Sequence, residues 1–130
     1  MESIFTKIVK GAIPAYKVAE DDRFLAFLDI SPLQPGHTLV VPKKQIDNIF
    51  DLDDDLLADL HVFAKNVANA LLQATGASRI GMAVIGFEVP HAHIHLIPIN
   101  TMDDMNFANP KLKLSKDEFE EIAHRIRENF

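Results

Sequence analysis

Apolar residues recur at helical spacing in three segments of the chain, and polar residues mark where these segments start or stop. The first segment runs from Ser3, which can cap a helix, to Gly11, which can end one. The longest runs from Asp51 to Gly76, with acidic residues near its start that favour the positive end of the helix dipole. The last begins at residues 115–118, whose sequence Ser-Lys-Asp-Glu fits a capping box. The pattern therefore predicts three helices.

Between these helices, short runs of β-branched and apolar residues are separated by turn residues, which is typical of strands. The five predicted strands cover residues 16–20, 23–30, 37–42, 78–85 and 89–97. The first two form a hairpin, and a loop with two prolines and a glycine leads into the third. We therefore predict an α+β fold for residues 1–130 as a single domain, with an antiparallel sheet of about five strands flanked by helices.

Composition narrows the classes of protein that fit this pattern. The chain has 130 residues, 48% of them hydrophobic, which suits one ordinary core. No apolar run reaches the ~18 to 20 residues of a membrane span, and the N-terminal residues lack the features of a signal peptide, so we expect a cytoplasmic protein that does not enter a membrane. The absence of cysteine removes disulfides and thiolate metal sites. With 19 acidic against 13 basic residues, we expect no broad nucleic-acid surface.

Half of the six histidines fall at alternate positions in one short stretch, as His91, His93 and His95. Successive side chains of a strand point to opposite faces, so the three imidazoles share one face if Ala92 and Ile94 point into a core. Neighbours on that face lie about 7 Å apart, close enough for one bound group to touch more than one of them. The spacing predicts a cluster of three histidines.

Three interpretations of this cluster remain open from residue chemistry alone. The histidines can be ordinary core or surface residues. They can present imidazoles to zinc, although the chain has no cysteine and the triplet contains no carboxylate to complete a familiar ligand set. They can also be catalysts, because a neutral imidazole is a good nucleophile at phosphorus and neighbouring imidazole N–H groups can bind phosphoryl oxygens.

The sequence His-Ala-His-Ile-His-Leu-Ile at residues 91–97 resembles the signature of the histidine triad (HIT) family, in which three histidines alternate with hydrophobic residues. The N-terminal third is similar to the same family at many positions, most closely to its histidine triad nucleotide-binding (Hint-like) branch. The matching segments are Ile4-Phe5, Ile8, Ile13-Pro14-Ala15, Asp22-Arg23, Leu25-Ala26-Phe27, Asp29-Ile30-Ser31-Pro32, Pro35-Gly36-His37 and Leu39-Val40-Val41-Pro42-Lys43-Lys44.

The resemblance implies a HIT-like fold and an enzyme that cleaves a nucleoside phosphoramidate or a dinucleoside polyphosphate at its α-phosphorus. His93 would attack phosphorus and carry the nucleotide as a nucleotidyl-phosphohistidine. His91 and His95 would hold phosphoryl oxygens, and His37 would support the cluster from another strand. The resemblance also implies a purine nucleotide substrate, a homodimer, and a reaction without cofactor or metal. The competing interpretation is a nucleotide-binding regulatory module with little turnover.

A nucleotide site follows from the same resemblance. Asp29 matches the position that binds the ribose hydroxyls, and a carboxylate can accept two charge-assisted hydrogen bonds from a vicinal diol. The residues that match the walls of the base pocket are Ile4, Phe5, Ile8, Ile13, Phe27, Ile30 and Leu39.

The stretch just before the triad departs from the family pattern. Many members have a longer turn here, then Gly-Gln and often a small hydroxyl residue, whereas this chain has Phe87 and Glu88 at those places. Glutamine can donate to a phosphate oxygen and phenylalanine cannot. Glu88 could protonate a leaving group, orient a histidine or lie outside the pocket. The substrate is therefore not to be copied from the better-known branches.

Overall fold

A computed structural model describes all 130 residues and has three α-helices and five strands. The helices are α1 (Ile4–Val9), α2 (Asp54–Thr75) and α3 (Lys116–Arg127), and the strands are β1 (Lys17–Glu20), β2 (Phe24–Leu28), β3 (Thr38–Pro42), β4 (Arg79–Ala83) and β5 (Ile94–Ile99). Single 3₁₀ turns lie at Ile49–Asp51 and Met102–Met105. The predicted α+β fold class is confirmed.

All neighbouring strands of the sheet are antiparallel, in the order β1-β2-β3-β5-β4. Phe27 lies opposite Leu39, and Leu39 lies opposite His95. Directly opposed residues project to the same face of a sheet, so these three side chains form a row across its middle. The register thus places the imidazole of His95 at the end of a row of apolar side chains.

Apolar groups cover both faces of the sheet, which explains why every residue of β2 and β3 is buried. Phe24, Ala26 and Val40 belong to the larger core, beneath α2 and α3, whereas Leu25 and Val41 belong to a smaller core with Phe5 and Ile8 of α1. Alternate residues of one strand therefore enter different cores. The face beneath α1 is the one that carries the row ending in His95.

The ends of the helices follow the capping signals read from the sequence. Asp53 accepts a hydrogen bond from Leu56 N–H at the start of α2, and Gly76 ends this helix with φ +66°, a left-handed conformation that glycine adopts without strain. Ser115 and Glu118 form the predicted capping box at α3. None of the helices is long and apolar enough to cross a bilayer.

One predicted element begins later than expected. The strand predicted over residues 89–97 begins only at Ile94, so His91 and His93 precede it. The ladder of β5 starts where its neighbours provide partners, with Ile94 opposite Val40 and His95 opposite Ala83. The prediction that all three imidazoles share one strand face was therefore wrong.

Candidate active site

A cavity of about 260 Å³ lies between α1 and the sheet. Its apolar lining includes every residue predicted for the base pocket, namely Ile4, Phe5, Ile8, Ile13, Phe27, Ile30 and Leu39. Asp29, Glu88, His93 and His95 also line it. The structure thus brings together residues from α1, the first loop, three strands and the approach to β5. Ile30 is 70% exposed and lies at the rim.

A second cavity of about 460 Å³ adjoins the first, with Asp29, Ser31, Glu88, His93 and His95 lining both. Its other walls are His37, Ile85, Gly86, Phe87, Phe107 and Lys111. The two histidines of the triad that reach a cavity therefore lie where an apolar compartment meets a more polar one. A ligand with two chemically different halves can span this junction.

The orientation of His93 leaves one ring nitrogen free. Its Nδ1 lies 2.7 Å from the backbone oxygen of His91, and a carbonyl oxygen only accepts, so Nδ1 carries the proton and donates. In the neutral ring Nε2 then has the unprotonated lone pair. Since His93 lines both cavities, this lone pair is the candidate nucleophile.

His95 has the complementary arrangement. Leu33 N–H donates to Nδ1 of His37 at 3.0 Å, so the neutral ring of His37 carries its proton on Nε2. That N–H donates to Nδ1 of His95 at 2.9 Å, which leaves the proton of neutral His95 on Nε2. The two triad histidines that line the cavities therefore differ in tautomer: His93 offers an acceptor and His95 offers a donor.

Burial keeps this pair of histidines uncharged. It lowers the pKa of His37 to about 3 and that of His95 to about 4, with the neighbouring imidazoles contributing further in the same direction. His37 Nε2 also lies 3.6 Å from a carboxylate oxygen of Asp29, but a neutral ring forms no ion pair with it. The contacts from Leu33 N–H through His37 to His95 therefore form a relay of hydrogen bonds in which both rings are neutral.

Asp29 lies just after β2, in the lining of both cavities. One of its carboxylate oxygens accepts the backbone N–H of Ser31 at 2.8 Å, which fixes the carboxylate in a tight turn. Burial raises the pKa of this carboxyl, and the hydrogen bond from Ser31 opposes that rise. The second oxygen remains available to accept from a ligand.

His91 is placed differently from the other two members of the triad. It is fully buried and lines neither cavity; its Nε2 lies 2.7 Å from Pro42 O and its Nδ1 2.7 Å from Ser3 Oγ. Both ring nitrogens are therefore engaged by protein atoms. The expected hydrogen bond from His91 to a phosphoryl oxygen is not available in this arrangement.

A metal ion is a second candidate ligand for the side chains around His37. Asp29, His37 and His95 each offer a donor atom, and these atoms lie within 4.8 Å of one another. A metal on Nε2 of His37 would require the proton to move to Nδ1, where it would face the N–H of Leu33 that now donates to this atom. The donor set therefore fits a hydrogen-bonded relay better than a metal site.

Among the residues of the second cavity that the sequence did not predict are Phe107 and Lys111. The Phe107 ring packs edge-on against that of His95, with centroids 5.0 Å apart, and Lys111 Nζ donates to Phe107 O. Both belong to the irregular segment before α3, where no periodic pattern identifies residues that face a site. His61 and His124, by contrast, are exposed helix residues outside the cavities.

Comparisons with known proteins agree with the geometry. The sequence model of the family described as HIT domain matches residues 10–102. The chain is 37% identical to adenosine 5'-monophosphoramidase from Schizosaccharomyces pombe, with 98% of this chain and 100% of that protein covered. It is also 37% identical to an uncharacterized HIT-like protein of Borreliella burgdorferi, with 98% of both covered.

A solved structure extends the comparison to the fold. A HIT-like protein of Bartonella henselae, described as involved in cell-cycle regulation, is 32% identical to this chain. The match has a TM-score of 0.86 and covers 99% of this chain and 97% of that one.

The buried neutral histidines make stability depend on pH. Because the folded pKa of His37 is about 3, against an ordinary 6.5, the unfolded chain alone binds this proton as pH falls through that interval. The contribution of His37 to the unfolding free energy is then fully present above about pH 6.5 and declines as pH falls towards 4, an effect that the raised pKa of Asp29 partly offsets.

Between pH 7.5 and 5, the His37→Asn variant should lose less unfolding free energy than the wild type, by roughly 1 to 2 kcal/mol. The amide oxygen of the asparagine can still accept the hydrogen bond from Leu33.

Urea unfolding at the two pH values measures this difference. His61→Asn is the matched control, because His61 is exposed on α2 and should leave the wild-type pH dependence unchanged. An equal loss of unfolding free energy between pH 7.5 and 5 in His37→Asn and in the wild type would mean that His37 does not remain neutral in the folded protein.

Proposed function

Because this chain belongs to the HIT family, we propose that it is a nucleotide hydrolase or transferase that acts at the α-phosphorus of its substrate. The observation that carries the proposal is the pair of complementary tautomers, with an acceptor nitrogen on His93 and a donor nitrogen on His95 at the junction of two cavities. The name of the S. pombe relative, adenosine 5'-monophosphoramidase, supports a nucleoside phosphoramidate as substrate.

In the proposed reaction, Nε2 of His93 attacks the α-phosphorus and the bond from phosphorus to the leaving group breaks. His95 donates a hydrogen bond from Nε2 to a phosphoryl oxygen, where negative charge develops. Neutral His95 is not a proton source, since loss of its proton would leave an imidazolate. A leaving amine therefore takes its proton from water. Water then attacks the nucleotidyl-phosphohistidine, releases the nucleoside monophosphate and restores His93.

The nucleoside half of the substrate fits the apolar cavity between α1 and the sheet, which we call the nucleoside cavity. Its walls from α1, β2 and β3 suit a purine ring, and Asp29 lies at the cavity lining with a carboxylate oxygen available for a ribose diol. This arrangement directs the α-phosphoryl group to the histidines and the leaving group to the second cavity. The same residues would serve a regulatory nucleotide-binding module, so chemical turnover has to be measured.

The charge of the second cavity favours an amine as leaving group over a polyphosphate. Asp29 and Glu88 are opposed by one cation, Lys111, and His37 and His95 are neutral, so the fixed charges there sum to −1. Glu88 forms no ion pair. A dinucleoside polyphosphate would bring several negative charges to this place, whereas an amine would bring none or a positive one.

We also propose that the protein acts as a homodimer joined near β4. This strand lies at the edge of the sheet, where its outer backbone groups have no partner strand. Apolar side chains in and after it are exposed, namely Met82, Val84, Ile85 and Phe87. A second copy of the chain would cover this surface.

Replacing the nucleophile gives the first test of the proposed reaction. His93→Ala should reduce turnover of adenosine 5'-phosphoramidate by at least about 10³-fold while nucleotide binding stays within a few fold, because the walls and Asp29 remain. Rapid quenching of the wild-type reaction and mass spectrometry should find one nucleoside monophosphate on His93. The assay contains EDTA, which we expect to have no effect because no step uses a metal.

His61→Ala is the control for loss of a histidine outside the site, and it should retain full activity. An adduct on another residue, or substantial turnover by His93→Ala, would mean that the nucleophile is wrongly assigned. Nucleotide binding without any turnover by the wild type would favour the regulatory module, and loss of activity in EDTA that zinc restores would favour a metal mechanism.

The role of Asp29 can be tested by changing either the residue or the sugar of the ligand. If its carboxylate binds the ribose diol, Asp29→Asn and a 2'-deoxy nucleotide should each weaken binding by roughly 1 to 3 kcal/mol, the range for a hydrogen bond to a charged group. Isothermal titration with a nucleoside monophosphate measures both. The two losses should not add, because each removes the same interaction; equal affinity for ribo and deoxy ligands would remove Asp29 from the site.

Glu88 should set the preference for the charge of the leaving group. Glu88→Gln removes one negative charge from the second cavity and should raise kcat/KM for a dinucleoside polyphosphate relative to an aminoalkyl phosphoramidate by roughly 3- to 10-fold, the scale of one nearby charge partly screened by water. Glu120→Gln, an exposed substitution on α3, is the control for the change in net charge. An unchanged ratio in Glu88→Gln would place the leaving group elsewhere.

A further inference from the structure

The start of α1 is joined to the histidine triad by a buried hydrogen bond that the proposed reaction does not use. Ser3 Oγ lies 2.7 Å from Nδ1 of His91, and the two residues are 5% and 0% exposed. The same oxygen accepts the backbone N–H of Thr6 at 3.0 Å and so caps α1. One hydroxyl therefore serves both the helix and the imidazole.

The direction of this bond follows from the other side of the His91 ring. Pro42 O only accepts, so Nε2 of His91 carries a proton and donates to it. Nδ1 of the neutral ring is then an acceptor, and the Ser3 hydroxyl must donate its proton to it. Burial lowers the pKa of His91, which favours this neutral form. The hydroxyl of Thr6 lies farther away, at 3.4 Å, and itself donates to Gln45 Oε1.

His91 in turn holds the proposed nucleophile. Its backbone oxygen accepts the Nδ1–H of His93 at 2.7 Å, the bond that fixes which nitrogen of His93 is free. Phe5, in the first turn of α1, packs edge-on against the rings of both His91 and His93, with centroids 5.8 and 5.0 Å away. The helix α1, which walls the nucleoside cavity, thus contacts the ring of His93 directly through Phe5. It is also linked to His93 indirectly, because Ser3 is hydrogen-bonded to His91 and His91 to His93.

We propose that Ser3 is a positioning residue: its hydroxyl fixes the tautomer and place of His91, and His91 through its carbonyl fixes the ring of His93. This inference rests on the proposed function for its catalytic consequence. It adds that the N-terminal cap of α1 couples the wall of the nucleoside cavity to the reacting histidine.

The chain offers a matched control for removal of the hydroxyl. Ser115 Oγ caps α3 by accepting Glu118 N–H at 3.1 Å, and no histidine is bonded to it. Ser3→Ala and Ser115→Ala each remove a serine cap, but only Ser3→Ala removes a hydrogen bond to the triad. We expect Ser3→Ala to lower kcat about 10-fold with KM changed less than about twofold, as for other groups that orient an imidazole. Ser115→Ala should keep the wild-type kcat, and Ser3→Thr should restore most of it.

A second variant separates the cap from the donor. Aspartate is as good a cap as serine, but a carboxylate only accepts, so Ser3→Asp keeps α1 capped while it favours a proton on Nδ1 of His91. Nitrogen-15 NMR of the histidine rings should show Nδ1 of His91 unprotonated in the wild type, protonated in Ser3→Asp and altered in Ser3→Ala. The His93 ring signals should move in both variants, and kcat should fall in both.

These measurements distinguish failure of the inference from failure of the proposed function. Wild-type kcat in Ser3→Ala and Ser3→Asp, an equal loss in Ser115→Ala, or no rescue by Ser3→Thr would overturn the positioning role. If the wild type turned over no nucleotide, the proposed function would fail, and the NMR spectra would still decide the inference. Unchanged His91 and His93 signals in Ser3→Asp would then overturn it.

Discussion

A neutral imidazole has one donor and one acceptor, so a hydrogen bond at one ring nitrogen determines the chemistry of the other. In this protein that constraint is imposed by the backbone. The carbonyl of His91 leaves His93 with a free lone pair, and the N–H of Leu33, acting through His37, leaves His95 with a free proton. Two residues of the same type, with ring centroids 5.0 Å apart, therefore offer opposite hydrogen-bonding groups to a ligand. Burial preserves the difference, because it keeps His37 and His95 from becoming imidazolium ions with two donors.

The sheet is what allows these backbone groups to be placed so closely. Register brings His95 beside Leu39 and Phe27, and the hydrogen bond from Asp29 N–H to His37 O holds the end of β2 against the start of β3. A one-residue slip of β5 would turn His95 towards the core beneath α2. Burial of Ile94 and Leu96 in the larger core opposes such a slip, so the packing that stabilises the fold also fixes the geometry of the site.

The sequence was informative where local chemistry decides the structure. Capping residues and apolar spacing predicted all three helices, and the resemblance identified the apolar residues that line the cavity between α1 and the sheet. His91 was misplaced because alternation implies a common face only within an extended ladder. That ladder starts at Ile94: Pro90 has no N–H to donate, and the carbonyl of Pro42 is taken by the His91 ring. Phe107 and Lys111 could not be found, since their position depends on how an irregular segment folds back over the relay.

The two halves of the site depend on different parts of the molecule. The apolar cavity and the ring nitrogens of His93 and His95 are held by α1, the sheet and buried hydrogen bonds, so changes there alter the tautomers or the register. Much of the second cavity is formed by residues 85–88 and by Phe107 and Lys111, outside every helix and strand. Side chains such as Phe87, which is 94% exposed, can therefore change without moving His93. In the proposed reaction, a fold built in this way keeps the chemistry at phosphorus while the leaving group changes, so the charge near Glu88 informs about substrate choice more than the triad does.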